Sequence, residues 1–156
     1  MTVEFVHAFP PASDKTIGRI EAGLGTALPE DYRQFLQSHN GGYLEENFLP
    51  PEADLSVRYL FSAGPNDDDD IFDLESAAEF YAPDSPADPE IPADYLPIGE
   101  NSFDDVLCIK VRGDDAGGVY LWSHDALANT DPFERVADGF GELFAALRPG
   151  SDLDAA

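Results

Sequence analysis

The sequence predicts an α+β fold, a single domain in which helices pack beside a mostly antiparallel, twisted sheet. Three observations predict it. Two helical patterns follow each other within residues 13–42, segments rich in β-forming residues recur between residues 43 and 123, and an apolar stripe at helical spacing ends before residue 150. Because helices and strands come in blocks rather than in strict alternation, an antiparallel sheet is expected.

Size and composition indicate one domain over residues 1–150, followed by a loose tail at residues 151–156. Apolar residues make up 43% of the 156 residues, which is enough for a real core. No apolar run approaches the length of a membrane span, and the N-terminus lacks the pattern of a secretory signal. Cys108 is the single cysteine, so a reducing compartment, the cytoplasm, is expected.

The first helix is predicted after a short N-terminal edge strand. Ser13 or Asp14 can cap this helix. Its apolar face carries Ile17, Ile20 and Leu24. A short link leads to the next helix, which favours two packed, roughly antiparallel helices.

The second helix is marked at both ends. Pro29 suits a first helical position, and Glu30 and Asp31 place negative charge at the positive end of the helix dipole. The Asn-Gly-Gly run at residues 40–42 ends the helix, because glycine adopts the left-handed conformation freely. The apolar face consists of Leu28, Tyr32, Phe35, Leu36 and His39.

The middle of the chain alternates between strands and loops. Strands are predicted at residues 43–49 and 55–62, with an acidic loop at residues 66–70. Asp73 can cap a helix. The proline-rich residues 82–97 are predicted to form a long surface loop. The face of the Asp73 helix carries Leu74, Ala77, Ala78 and Tyr81.

The last third predicts a hairpin and a closing helix. Strands are expected at residues 96–99, 106–112 and 119–123, and the GDDAGG turn at residues 113–118 joins the last two. Within residues 119–123, Val119 and Leu121 face opposite to Tyr120 and Trp122. The closing helix is predicted between residues 131 and 147, capped by Asp131 or Asp138, with an apolar stripe of Val136, Phe140, Leu143, Phe144 and Leu147.

Charge excludes one class of partner. Eight basic residues against 32 acidic ones give a net charge of −24, so nothing could neutralise the phosphates of a nucleic acid. Two explanations of the acidity stay open at this point. The surface complements a basic partner, or the whole proteome is acidic, as in a salt-adapted organism.

No residue pattern indicates catalysis, a metal or a cofactor. His7, His39 and His124 are dispersed, and Cys108 has no evident partner base, so structural roles are expected. The acidic loop lacks the spacing of an EF-hand, and one cysteine cannot build a zinc site. Aromatic residues on or next to the predicted strands, Tyr95, Tyr120 and Trp122, are expected in the core rather than at an interface.

Several motifs, in order, resemble the SUKH superfamily, the Smi/Knr-type domain first met in a fungal cell-wall regulator and abundant in bacteria. Leu28-Pro29 opens a helix that ends at the Asn-Gly-Gly run, and the closing helix is rich in phenylalanine. Gly139 and Gly141 depart from the family's better-formed helix start. The strand motifs are Leu96-Pro97-Ile98-Gly99 and Val119-Tyr120 with Trp122, the latter preceded by Gly117 or Gly118 and followed by His124-Asp125.

The resemblance implies a domain without catalytic activity that binds and neutralises a toxin encoded beside it, often a nuclease. A regulatory or scaffold protein of the fungal type is the alternative, and a small hydrolase is a third, weaker one. If the acidity serves binding, acidic and aromatic residues would plug a basic active-site cleft. The expected contact residues are Glu45, Glu46, Asp67, Asp68, Asp69, Asp70, Asp104, Asp105, Asp114, Asp115, Tyr95 and Trp122.

Overall fold

The computed structural model describes residues 5–48, 56–64, 66, 72–82, 91–92, 94–101, 105–123, 132–146 and 148–149. Within these ranges the helices are α1 (Asp14–Leu24), α2 (Glu30–Ser38), α3 (Leu74–Phe80) and α4 (Phe140–Ala146). The strands are β1 (Phe5–Ala8), β2 (Gly42–Phe48), β3 (Ser56–Leu60), β4 (Tyr95–Glu100), β5 (Val106–Lys110), β6 (Val119–Trp122), β7 (Phe133–Ala137) and β8 (Arg148–Pro149).

The described strands form one sheet in the order β1-β2-β3-β4-β5-β6-β7, and β8 pairs with β2. Each neighbouring pair of named strands in this sheet is antiparallel. The α+β prediction is therefore confirmed, as is the hairpin between β5 and β6. The predicted tail at residues 151–156 lies outside the described residues.

Two helix starts agree with the predicted caps. The Ser13 hydroxyl accepts a hydrogen bond from the Thr16 amide at 3.2 Å, and Asp73 accepts one from the Ser76 amide at 2.8 Å. Both side chains satisfy a backbone N–H that the helix itself cannot pair. Pro29 lies one position earlier than predicted, at the N-cap of α2.

The Asn-Gly-Gly run does more than end α2. Asn40 is buried and has a φ of 40°. Its side-chain amide donates to the carbonyls of Pro10 (3.0 Å) and Ala63 (3.2 Å), while its oxygen accepts from the Ala63 amide (2.7 Å). At Gly41, with a φ of 79°, an added Cβ would lie 2.5 Å from the Leu60 carbonyl oxygen. The run therefore joins the end of α2 to the segment after β3.

Pro97 occupies an interior strand, where a proline normally removes a ladder hydrogen bond. It pairs with Cys108, and the register between β4 and β5 shifts between Pro97 and Gly99. A bulge is one of the few places where a sheet accepts proline. The strand predicted at residues 96–99 is confirmed and extends from Tyr95 to Glu100, so the predicted loop at residues 82–97 ends before Tyr95.

The predicted closing helix is wrong over its first part. Residues 133–137 form β7, which pairs with β6, and α4 begins only at Phe140. Val136 therefore belongs to a strand and not to the helical stripe. The spacing between Val136 and Phe140 in the sequence fits a helix. The structure is determined instead by the backbone hydrogen bonds that the edge of β6 offers to this segment.

The helices form a layer on the sheet. Glu21 of α1 accepts hydrogen bonds from the Leu28 amide (2.7 Å) and from the Arg33 guanidinium, which ties α1 to α2. In α2, the ring of Phe35 lies 4.7 Å from that of Phe140 in α4. Beside α1 and α3, a pocket is lined by Ile20, Leu24, Leu74 and Leu96, among others, so this layer covers the face of β4 that carries Leu96.

Candidate partner-binding surface

The two faces of the sheet differ in their residues. Leu96 pairs with Ile109, and Ile109 pairs with Val119. Because residues that pair across strands lie on the same face, all three lie on the face that the helices cover. Val119 and Leu121 are buried, whereas Tyr120 and Trp122 are half-buried on the opposite, outer face. The prediction that these two pairs face opposite ways is confirmed.

Aromatic rings from β4, β6 and β7 contact one another on the outer face. Tyr95 of β4 stacks on Phe133 of β7, with ring centroids 4.1 Å apart and planes 13° from parallel. Tyr120 of β6 meets Tyr95 edge-on at 5.3 Å. Cys108 pairs with Tyr120 on the same face and is fully buried, and this burial raises the pKa of its thiol. The rings therefore form an outer layer on the sheet.

An ion pair sits at the edge of this layer. Lys110 Nζ lies 2.8 Å from Asp115 Oδ1 and 5.6 Å from the ring centroid of Tyr95. The Tyr120 hydroxyl donates to Asp115 Oδ2 at 2.7 Å. These two hydrogen bonds, that of Lys110 first, lower the pKa of Asp115 to about 2. The same contacts raise the pKa of Lys110 and of Tyr120.

A second aromatic group lies where α3 ends. The rings of Tyr81 and Trp122 meet at 6.3 Å, and Phe80 meets Tyr81 edge-on at 4.9 Å. The Tyr81 hydroxyl donates to Glu100 Oε1 at 2.7 Å. Phe80 is 41% exposed, the one large hydrophobic residue so exposed in the described part of the chain. We call the six residues Phe80, Tyr81, Tyr95, Tyr120, Trp122 and Phe133 the aromatic face.

The structure brings some of the expected contact residues together. Tyr95 and Trp122 belong to the aromatic face, Asp115 borders it, and Asp114 is exposed in the same turn. Asp105 instead contacts Asn101, because its amide donates to Asn101 Oδ1 at 2.9 Å. Glu45 and Glu46 lie on β2, and their side chains are outside the described part. Outside the described residues altogether are Asp67, Asp68, Asp69, Asp70 and Asp104.

Sequence reasoning missed several residues of this surface. The sequence predicts Phe133 and Arg135 in a helix, although their spacing of two is typical of one face of a strand. Tyr81 was expected on the apolar stripe of a helix, and nothing local indicated its hydrogen bond to Glu100, which lies 19 residues away. Phe80 lies off the predicted apolar face of the same helix, which agrees with its exposure.

The cations of the described residues are largely engaged within the chain. Arg19 pairs with Glu75 at 2.8 Å, Arg135 with Asp138 at 3.1 Å, Arg33 with Glu21, and Lys110 with Asp115. Arg112 donates to the Leu24 carbonyl at the end of α1. Because acidic residues outnumber basic ones fourfold, 32 against 8, these pairs leave most carboxylates without a cation.

Comparison with known proteins identifies the family. The model of the SMI1 / KNR4 family (SUKH-1) matches residues 11–146, which is most of the chain. The protein belongs to the SUKH-1 family. The match begins before α1 and ends with α4, so it spans the helical layer, the sheet from β2 to β7 and the aromatic face.

One curated relative of this SUKH-1 protein is the SPbeta prophage-derived uncharacterized protein YokK of Bacillus subtilis (strain 168). The two are 22% identical over 151 residues, which covers 86% of this chain and 74% of the relative. Within the described residues of the SUKH-1 protein, no group of three or more metal-ligating side chains converges, and no helix is long and apolar enough to cross a membrane.

Proposed function

We propose that this SUKH-1 protein is a non-catalytic immunity protein that binds and neutralises a cognate toxin. The observation that carries the proposal is the family match over residues 11–146. The surface supports it. Aromatic residues that are half-buried on an outer face, next to acidic groups, are the kind of side chains that anchor protein interfaces.

The proposed mechanism is electrostatic capture of a toxin with a basic active-site cleft. A net charge of −24 steers a basic partner toward the complex and raises its rate of association. Among the expected contact residues, Asp114 is exposed and has no cation partner within the described residues, whereas Asp115 is already neutralised by Lys110. Asp114 is therefore the better candidate within this turn. The acidic residues 67–70 and Asp104 remain candidates on sequence grounds.

Co-expression tests the proposal. The toxin candidate is the product of the gene directly beside the one for this chain, produced with and without the immunity protein. We expect the immunity protein to restore growth and to co-purify with the toxin as a stoichiometric complex. A complex that forms without restoring growth would support the regulatory alternative, and no complex with any neighbouring product would contradict the proposal.

Salt dependence tests the mechanism separately. If electrostatic capture operates, the association rate falls steeply as ionic strength rises, because exposed charges are screened beyond about 8 Å at 0.15 M salt. Asp114→Asn should weaken binding, while Glu142→Gln, an exposed carboxylate on α4, serves as the charge-matched control. An association rate that does not change with salt would support salt adaptation as the origin of the acidity.

A further inference from the structure

The end of α3 presents a carboxylate among three rings, of which Tyr81 is buried, Trp122 is half-buried and Phe80 is exposed. Glu100 lies on the outer face because it pairs with Val106, which in turn pairs with Trp122. Its hydrogen bond from Tyr81 holds the carboxylate beside the ring that meets Trp122. Phe80, the most exposed of these rings, extends the same group to the surface.

The carboxylates of this group form no ion pair with a cation in the described part of the chain. Lys110 and Arg135 are held by Asp115 and Asp138, and the Arg58 guanidinium lies on the ring of Tyr59, the residue that pairs with Glu100. The Glu100 carboxylate has Tyr81 as its hydrogen-bond donor, and Glu79, next to Phe80, is exposed without an ion pair in the described part of the chain. A carboxylate beside aromatic rings favours the binding of a cation, since the faces of the rings carry partial negative charge.

The chain already shows cations binding to its own tyrosines. Lys110 Nζ lies 5.6 Å from the Tyr95 ring, and the Arg58 guanidinium lies 5.0 Å from the Tyr59 ring. Both distances are within the range of a cation–π interaction. A guest cation at Phe80, Tyr81 and Trp122 would repeat this arrangement with Glu100 as its counter-ion.

We infer that Phe80, Tyr81, Trp122 and Glu100 form an anchor site for a lysine or arginine side chain on a basic surface of the toxin. This inference deepens the proposed function and rests on it, because it names the part of the partner that is held. Arginine suits the site best, since its planar guanidinium can stack on a ring and donate to a carboxylate at the same time.

An arginine hexapeptide tests the site without the toxin. Trp122 is the single tryptophan of the chain, so its fluorescence reports binding at this place. We expect a saturable change in fluorescence, and Glu100→Gln and Phe80→Ala should each raise the dissociation constant about tenfold. Glu100→Gln keeps an acceptor for Tyr81, and Phe80 is exposed, so both variants should fold normally.

Glu142→Gln is the matched control, because it removes one exposed negative charge from the helical layer instead. If it weakens peptide binding as much as Glu100→Gln does, bulk charge alone attracts the peptide and the inference is overturned. No change in Trp122 fluorescence would overturn it equally.

The same variants separate this inference from the proposed function. If the wild-type protein protects cells from the neighbouring toxin and Glu100→Gln and Phe80→Ala protect equally well, the toxin docks elsewhere and only the anchor site is wrong. If the peptide binds as expected but the wild-type protein gives no protection, the immunity function is contradicted while the cation site stands on its own result.

Discussion

At the residue scale, Asn40 holds three segments of the chain together through one side-chain amide. Its hydrogen bonds to Ala63 are buried, where water cannot replace them, and the one to Pro10 is partly buried. Its φ of 40° is a conformation that asparagine tolerates better than most residues. Asparagine at this position therefore combines a permitted backbone conformation with hydrogen bonds that glycine could not supply.

Asn40→Ala should lower the free energy of unfolding by about 2–4 kcal/mol, because it leaves buried backbone groups unpaired and adds backbone strain. Urea denaturation measures the change. Asn40→Gly separates the two causes, since glycine relieves the strain but still lacks the amide. If Asn40→Gly is as stable as the wild type, the hydrogen bonds contribute nothing and this assignment is wrong.

The Asp115 carboxylate makes a prediction about pH. Its pKa is lowered from 3.8 to about 2 by Lys110 and Tyr120, so the charged form is favoured in the folded protein. The stabilisation is therefore complete above the ordinary pKa and is lost as the pH falls through about 2. An NMR titration of the side-chain carboxyl should show this low midpoint.

Lys110→Met should return the Asp115 midpoint toward 3.8, because it removes the largest cause of the shift. Tyr120→Phe should have the same direction of effect. Since the Asp115 side chain is 39% exposed, the effect on overall stability should be small, and the titration is the sensitive measurement. A midpoint that does not move in Lys110→Met would contradict the ion pair.

At the scale of elements, α4 begins with help from another helix. Asp31 of α2 accepts a hydrogen bond from the Gly141 amide at 2.9 Å, where α4 has backbone donors without intrahelical partners. A Cβ at Gly139 would lie 3.0 Å from the same carboxylate oxygen. The glycines that depart from the family's pattern therefore allow Asp31 to approach the start of α4.

Asp31→Ala should lower the free energy of unfolding by about 0.5–2 kcal/mol, as the loss of a helix cap does. Glu30→Ala is the matched control, because it removes the same first-turn charge of α2 without a contact to α4. Hydrogen exchange of the Gly141 amide adds a local measurement. Equal exchange at Gly141 in both variants would show that Asp31 does not cap α4.

Elements whose signals are local were predictable from the sequence, and those that depend on distant partners were not. The caps at Ser13 and Asp73 and the hairpin between β5 and β6 follow from residues within a few positions of each other. The segment at β7 fits either a helix or a strand locally, and pairing with β6 decides between them. The same limit applies to the surface, since ring contacts join Tyr95 to Phe133 across two intervening strands.

At the scale of the whole molecule, the residues that stabilise the fold differ from the charged residues on its surface. The helical layer and the sheet share an apolar core, and two ion pairs join helices, Arg33 with Glu21 and Arg19 with Glu75. In the described part of the chain, acidic residues without an ion pair, such as Glu79 and Asp114, are exposed, where they would attract the basic partner proposed above. This division is what a binding protein of the SUKH-1 family needs for the proposed role.

Inhibition of the toxin by the purified protein tests this account most directly. Increasing amounts of the full chain are added to a fixed amount of the neighbouring gene's toxin, and the remaining toxin activity is measured. We predict a linear fall that ends at one immunity protein per toxin active site, with no consumption of the immunity protein. Full toxin activity in the presence of a large molar excess of this chain would contradict the account.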